Sequence, residues 1–286
     1  MNTPYIMPAA GWLRTPDDIR KLSNMDTVNE IVAGSFTRLE RAGNKEPTFV
    51  EIEPGSYVNS KGMPNGGLDY LRCNINDMTD ASSNKPLRIS IAPIEPGDLS
   101  DMTSFLSGTD VSTIEINVGC PNIWKDGARH EIISHDVTAL RLTIDEVMDR
   151  VTRFRGKKQI AVKLSPLPDS IINEVVEILH TSEVDEIVIM NTRPGYNTKG
   201  ILSVPTGGLS GRKIQEEAIH QVEKVRIAID KIGSKMRLVG VGGIDSGIML
   251  KRHLEAGADA VQIGTHAQVF GKKVFAEILA EYFDLV

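Results

Sequence analysis

The chain has 286 residues, of which 41% are hydrophobic and 24% charged, the make-up of a globular protein long enough to bury a large core. A formal net charge of −6 gives no electrostatic footprint for nucleic acid or an anionic membrane, and no apolar run approaches the roughly 20 residues that span a bilayer. Two cysteines, Cys73 and Cys120, do not suggest a disulfide framework, and residues 1–12 lack the charged start and apolar stretch of a signal peptide. The expectation is a cytoplasmic α/β protein that binds neither nucleic acid nor membrane.

In chain order, strands are predicted at Tyr5–Ala9 and Ile31–Phe36, before an excursion rich in Gly, Pro and Asn from Ala42 to Leu71. Cys73 falls in an apparent helix and reads as a packing residue. Strands follow at Leu87–Ala92 and Ile114–Val118, then an amphipathic helix through Val137, Leu140, Ile144, Val147, Val151 and Phe154. After the strand Ile160–Leu164 come a helix from Ile171 to Leu179, the strand Glu186–Asn191 and a second Gly/Pro-rich excursion, Thr192–Ser210. The last units are a helix through Ala218, Val222, Val225 and Ile229, the strand Leu238–Gly242, a helix capped by Ser246, and the strand Ala260–Gly264. Nearly continuous apolar strands alternating with helices imply parallel pairing and right-handed crossovers. Eight such strands predict a (β/α)8 TIM barrel, a single domain over residues 1–286 whose long active-site loops lie on the C-terminal face. An open doubly wound sheet is the competing architecture.

Two glycine-rich turns, Gly240–Gly247 and Gly257–Thr265, fall after the last two strands. Glycines there let backbone N–H groups approach an anion, so the pair predicts a phosphate grip; the alternative is plain tight turns. The strand at Ile114 stops at Gly119-Cys120-Pro121, which leaves a thiol at its mouth between Asn117 and Asn122. Such a thiol can remove a carbon-bound proton, or it can be an inert buried cysteine. Lys163 ends its strand in Val162-Lys163-Leu164-Ser165-Pro166, either as a solvated lysine or as a cation paired with an anion in the barrel mouth. Asn59, Asn117, Asn122 and Asn191 are each a turn residue taken singly; together they could present donors and acceptors to a planar, amide-rich ligand.

These segments, with Ala9-Ala10-Gly11, Asn59-Ser60-Lys61-Gly62-Met63-Pro64-Asn65, Asn191-Thr192, Thr206-Gly207-Gly208-Leu209-Ser210-Gly211 and Gln262-Ile263-Gly264-Thr265, resemble the dihydroorotate dehydrogenase family of the soluble class 1 type along nearly the whole chain. The resemblance implies an FMN-dependent oxidoreductase of pyrimidine biosynthesis that acts on a CH–CH bond and converts (S)-dihydroorotate to orotate. It assigns Cys120 as the base that takes the C5 proton while the C6 hydride goes to flavin N5, and Lys163 as the cation that stabilises the reduced flavin. Asn59, Lys61, Gly62, Met63, Asn117, Asn122, Asn191 and Thr192 would hold the substrate. Ala9, Ala10, Gly11, Ser35, Asn117, Lys163, Gly211, Gly242, Gly243, Gly264 and Thr265 would hold FMN. No metal is expected among them. The resemblance also implies a homodimer and a soluble electron acceptor, either fumarate or NAD through a separate subunit.

The chain departs from the family pattern at the end of the second strand. Where the family usually has Thr-Lys-Ser, with the lysine touching flavin and substrate, this sequence has Ala33-Gly34-Ser35. Lys61, where the family usually carries an apolar residue, is the candidate replacement; the alternative is a different dihydropyrimidine or an unsaturated amide as substrate. Gly119 stands where Ser is common. A flavin-binding subunit without turnover and a non-flavin phosphate-binding lyase or isomerase are the remaining readings. The chain starts almost at its first strand, without the helical extension of class 2 enzymes, and lacks the four-cysteine pattern of an iron–sulfur centre.

Overall fold

In the computed structural model, which describes residues 3–125, 128–151 and 158–286, the alternation read from the sequence becomes strands and helices in chain order. These begin with β1 (Ile6–Pro8), α1 (Pro16–Ser23), β2 (Ile31–Phe36), β3 (Phe49–Glu53), β4 (Ser56–Asn59), α2 (Gly67–Ser82), β5 (Leu87–Ile91) and α3 (Asp98–Ser107). Next come β6 (Thr113–Asn117), the short ribbon β7 (Trp124–Lys125) and β8 (Ala128–Arg129), α4 (Val137–Val151), β9 (Gln159–Lys163) and α5 (Ile172–Thr181). The chain ends with β10 (Glu186–Ile189), β11 (Arg193–Asn197), β12 (Thr206–Gly211), α6 (Gln215–Lys231), β13 (Arg237–Val241), α7 (Gly247–Glu255), β14 (Ala260–Ile263), α8 (Thr265–Phe270) and α9 (Val274–Phe283).

The eight predicted strands form one parallel sheet in the order β1-β14-β13-β10-β9-β6-β5-β2. The two outer strands are drawn together by the segment after β1: Gly11 N–H donates to Gly34 O (2.7 Å), and Gly34 N–H donates to Leu13 O (2.8 Å). The sheet is thus a nearly closed (β/α)8 barrel, and the open-sheet alternative falls. Both faces of these strands are buried, which is why they read as near-continuous apolar runs rather than as alternation. The helices bury the stripes anticipated for them; Ser246 caps α7, its Oγ accepting from Met249 N–H (3.4 Å). Phe154 lies outside the described residues.

Two expectations are corrected. The excursions Ala42–Leu71 and Thr192–Ser210 are not irregular: they contribute β3, β4, β11 and β12, which pair as a four-stranded antiparallel sheet over the barrel mouth. Gly207 and Gly208 belong to strand packing, since a Cβ on Gly207 would lie 2.7 Å from Val58 Cγ1 and one on Gly208 2.2 Å from Thr192 Oγ1. Cys73 is in a helix, as read, but its side chain is exposed, so it does not pack; the buried stripe of α2 runs through Leu68, Leu71, Ile75 and Met78 instead.

At the amino-terminal end of the barrel, Arg88 is wholly buried and crosses the interior. Its Nε donates to Glu30 Oε1 (2.9 Å) and its Nη2 to Glu186 Oε2 (2.9 Å), with Glu115 Oε2 at 3.6 Å from Nη1. Three carboxylates around one guanidinium hold its pKa above the ordinary arginine range, against the pull of burial.

Candidate active site

The carboxyl ends of the strands and the antiparallel sheet enclose a cavity of about 470 Å³, within the range of small-molecule and cofactor sites. Every site residue singled out from the sequence lines it: Ala9, Ala10, Gly11, Ser35, Asn59, Lys61, Gly62, Met63, Asn117, Cys120, Asn122, Lys163, Asn191, Thr192, Gly211, Gly242, Gly243, Gly264 and Thr265.

The asparagines are joined rather than scattered. Asn191 Nδ2 donates to Asn117 Oδ1 (3.1 Å), and Asn117 Nδ2 donates to Ser35 Oγ (2.9 Å), which bonds Ser90 Oγ (2.9 Å). On the other wall Asn122 Nδ2 donates to Asn59 Oδ1 (2.7 Å), and Asn59 Nδ2 to Gly208 O (3.3 Å). These bonds fix the amide planes, yet Asn122 Oδ1 and Thr192 Oγ1 are buried with no protein partner. Buried polar groups are ordinarily satisfied, so these atoms are places for ligand contacts. Asn65 has another task. Its Oδ1 accepts from Thr37 N–H (3.0 Å) and Gly67 N–H (2.8 Å), and its Nδ2 donates to Met63 O (2.9 Å), which pins the loop that carries Asn59–Met63.

Lys163 is 4% exposed, which excludes the solvated reading. Its Nζ donates to Gln262 Oε1 (2.9 Å), and Gln262 Nε2 donates to Glu115 Oε2 (2.7 Å). Burial pushes the ammonium below the ordinary lysine value, while the Glu115 carboxylate holds it up. Gln262, quoted from the sequence only as part of the Gln262–Thr265 segment, and Glu115 hold Lys163 in place, a contact that the sequence reading did not anticipate. Glu115 was visible as a carboxylate inside an otherwise apolar strand.

Cys120 sits beyond β6, against Met63, Ala92 and Ile123. Burial pushes its thiol up; the Asn122 backbone N–H and the charges of Arg41 and Lys163 pull the other way. The thiol is therefore less acidic than an ordinary cysteine, beside groups that favour the thiolate. Gly119 permits this turn because a Cβ there would lie 2.3 Å from Ser165 N, so serine does not fit this backbone.

At the far end of the cavity, Gly242 (φ +127°) and Gly243 (φ +68°) adopt the left-handed conformations that glycine tolerates. They are backed by His253, fully buried beneath them, whose Nε2 lies 3.1 Å from Gly242 O and so carries the proton. Burial pushes this imidazole down to about 4. Gly240, read as part of the grip, serves packing: a Cβ there would stand 2.6 Å from His253 Nδ1. The cradle at Gly242-Gly243 and Gly264-Thr265 suits a phosphate, and the cavity between it and Cys120 is lined by donors and acceptors that suit a flavin.

Gly34 has φ +115°, and a Cβ would lie 2.4 Å from Ser90 O, so this backbone admits no side chain at position 34. Lys61 does reach the cavity, its Nζ lying 5.2 Å from the centroid of the Phe49 ring. Arg14, which the sequence reading passed over, lines the same cavity.

The family profile described as Dihydroorotate dehydrogenase matches residues 2–285. The dihydroorotate dehydrogenase (fumarate) of Saccharomyces cerevisiae is 26% identical over 306 aligned residues, covering 100% of this chain and 90% of its own. The catalytic subunit of dihydroorotate dehydrogenase B (NAD(+)) of Trichlorobacter lovleyi is 27% identical, covering 91% of this chain and 82% of its own. The ligand-free DHODH structure from Eimeria tenella superimposes with a TM-score of 0.80 at 18% identity, covering 98% of this chain and 83% of that one. Nothing in these matches favours a different substrate. The chain belongs to the dihydroorotate dehydrogenase family.

Proposed function

We propose that this protein oxidises dihydroorotate to orotate in pyrimidine biosynthesis, as a flavin oxidoreductase acting on a CH–CH bond with FMN as its cofactor. The observation that carries the reading is the cavity itself: a thiol at the end of β6, two fixed asparagine pairs and a buried lysine all face one space. FMN would be held by Ala9-Ala10-Gly11, Ser35, Asn117 and Lys163 around its ring system, and by Gly211, Gly242-Gly243 and Gly264-Thr265 toward its phosphate. When bound, it supplies the hydride acceptor.

The chain's own residues supply the rest. Asn59, Asn117, Asn122 and Asn191, with Thr192, orient the pyrimidine through amide and hydroxyl contacts, for which Asn122 Oδ1 and Thr192 Oγ1 stand ready. Gly62 and Met63 line the cavity, and Met63 packs in the same apolar cluster as Cys120. Cys120 Sγ takes the C5 proton. Because burial holds the thiol up, the active thiolate is populated only as pH rises, and the rate of substrate oxidation climbs through the alkaline range to a plateau. Fumarate, or NAD through a partner subunit, is the acceptor that the named relatives support. A homodimer in the cytoplasm completes the reading, checked by light scattering and by fractionation.

The test is anaerobic mixing of the flavin-loaded protein with dihydroorotate, following flavin absorbance. Bleaching in the wild type, slowed roughly 10²–10⁴-fold in Cys120→Ala, is the expected result for loss of a positioned base. A flavin that dithionite reduces and dihydroorotate does not would sink the assignment.

A further inference from the structure

The charged groups around the cavity do not balance. Arg212 pairs with Asp245 (2.7 Å), Lys163 is tied to Gln262, and Glu51 accepts from Gly55 N–H (2.8 Å). Arg14 and Lys61 remain, and neither has a carboxylate within salt-bridge distance among the described residues. Arg14 Nη2 donates to Gly11 O (2.8 Å), but its Nε is buried with no partner. Asp18, the acid that acts on Arg14, has partners of its own: its Oδ2 accepts from Arg14 N–H (3.2 Å) and Thr15 N–H (3.3 Å) in the cap of α1, and its Oδ1 pairs with Lys21 (2.9 Å). The Lys61 ammonium rests over the Phe49 ring, and Glu46 bonds its own turn through Thr48 N–H (2.7 Å). Burial lowers the pKa of both cations; Asp18 offsets this in part for Arg14 and Glu46 for Lys61, while the charge of Arg14 lowers Lys61 further, and both side chains line the same cavity. Two half-buried like charges facing one cavity are unfavourable until an anion joins them.

We infer that Arg14 and Lys61 form one anion-binding corner that grips the substrate carboxylate. Gly34 explains why the corner is built from these two residues. Its backbone admits no side chain and is bonded on both sides to the 11–13 segment that leads directly into Arg14. Arg14 thereby enters the cavity beside the bare position, and Lys61 enters from the loop that Asn65 pins. Arg14 offers a planar guanidinium for directional hydrogen bonds and Lys61 a mobile point charge. Calling the anion the substrate carboxylate rests on the dihydroorotate reading; the corner itself does not.

The test titrates the flavin-loaded protein with orotate and with uracil, the same ring without the carboxylate, and reads the perturbed flavin absorbance. Arg14→Gln and Lys61→Met should each weaken orotate roughly 10- to 100-fold, with uracil unchanged and FMN still held. Arg14→Lys should recover part of the loss. Equal weakening of orotate and uracil, or FMN loss with the orotate preference intact, would overturn the corner. So would a wild type that binds orotate no better than uracil. If dihydroorotate fails to bleach the wild type while Arg14→Gln still abolishes the preference for orotate, the corner stands and the proposed reaction falls.

Discussion

The two ends of the barrel treat buried charge in opposite ways. At the amino-terminal end, Arg88 is enclosed by Glu30, Glu115 and Glu186, and Arg237 adds a further cation 3.6 Å from Glu186. At the carboxyl end, Arg14 and Lys61 share a cavity with no carboxylate in salt-bridge distance of either among the described residues, and Asn122 Oδ1 and Thr192 Oγ1 lie unpartnered in its lining residues. The first arrangement is complete without a ligand and holds strands together across the interior. The second is complete only with one. Between them the path from Arg88 to Glu115, Gln262 and Lys163 links the closed end to the open one. The pairing state of a charge, rather than its burial alone, separates structural ions from functional ones.

The largest effect should come from breaking the closed end. Arg88→Met leaves three buried carboxylates without their cation, and about 3–5 kcal/mol of stability should be lost, read from the urea midpoint. A loss under about 1 kcal/mol would mean that water reaches this end and that the contrast is false. Below this stands the support of the Gly242-Gly243 turn. His253 is neutral in the fold down to about 4, against an ordinary 6.5. Between those values the unfolded chain binds the extra proton, so stability falls as pH drops through that window and is unaffected above it. At roughly 1.4 kcal/mol per pKa unit the full difference is about 3 kcal/mol. Urea midpoints should show it as a slope that His253→Gln lacks; parallel curves would show that His253 is not the titrating group. Next, Gln262→Leu strands both Lys163 Nζ and Glu115 Oε2, for an expected cost of about 1–3 kcal/mol. An unchanged midpoint would mean that these groups find other partners.

Much of this was legible in the sequence. The barrel strands are buried on both faces, so composition alone marked them, and their ends fell within a residue or two of the observed ones. That the candidate residues share one cavity was legible through resemblance, because each lies at a strand end or in a loop whose motif is short and contiguous. What escaped was whatever depends on three-dimensional neighbours. Gly207 and Gly208 read as turn residues, although crowding against Val58 and Thr192 puts them in a strand. Cys73 occupies a helix whose buried stripe passes it by. Arg14 carries no motif; only the bonds between Gly34 and the 11–13 segment bring it to the cavity. Gln262 stood in the sequence only as the first residue of a resembling segment, and its task appears from its partners, Lys163 and Glu115, on two other strands.

The smallest expected effect is the most discriminating, because its sign differs from the rest. If Arg14 and Lys61 are held against each other for a ligand, the ligand-free protein carries their repulsion and desolvation as a cost. Arg14→Gln or Lys61→Met should then leave the flavin-loaded protein without substrate as stable as the wild type or more so, by up to about 1 kcal/mol. Saturating orotate should reverse the order, because a ligand that binds the native state stabilises by its own affinity and the variants have lost part of it. Thermal melting with and without orotate reads both signs in one experiment. A variant less stable than the wild type in both conditions would place the cation among the structural charges, with Arg88. A crossing of the two orders would show that this end of the barrel gives up stability to hold a binding site open.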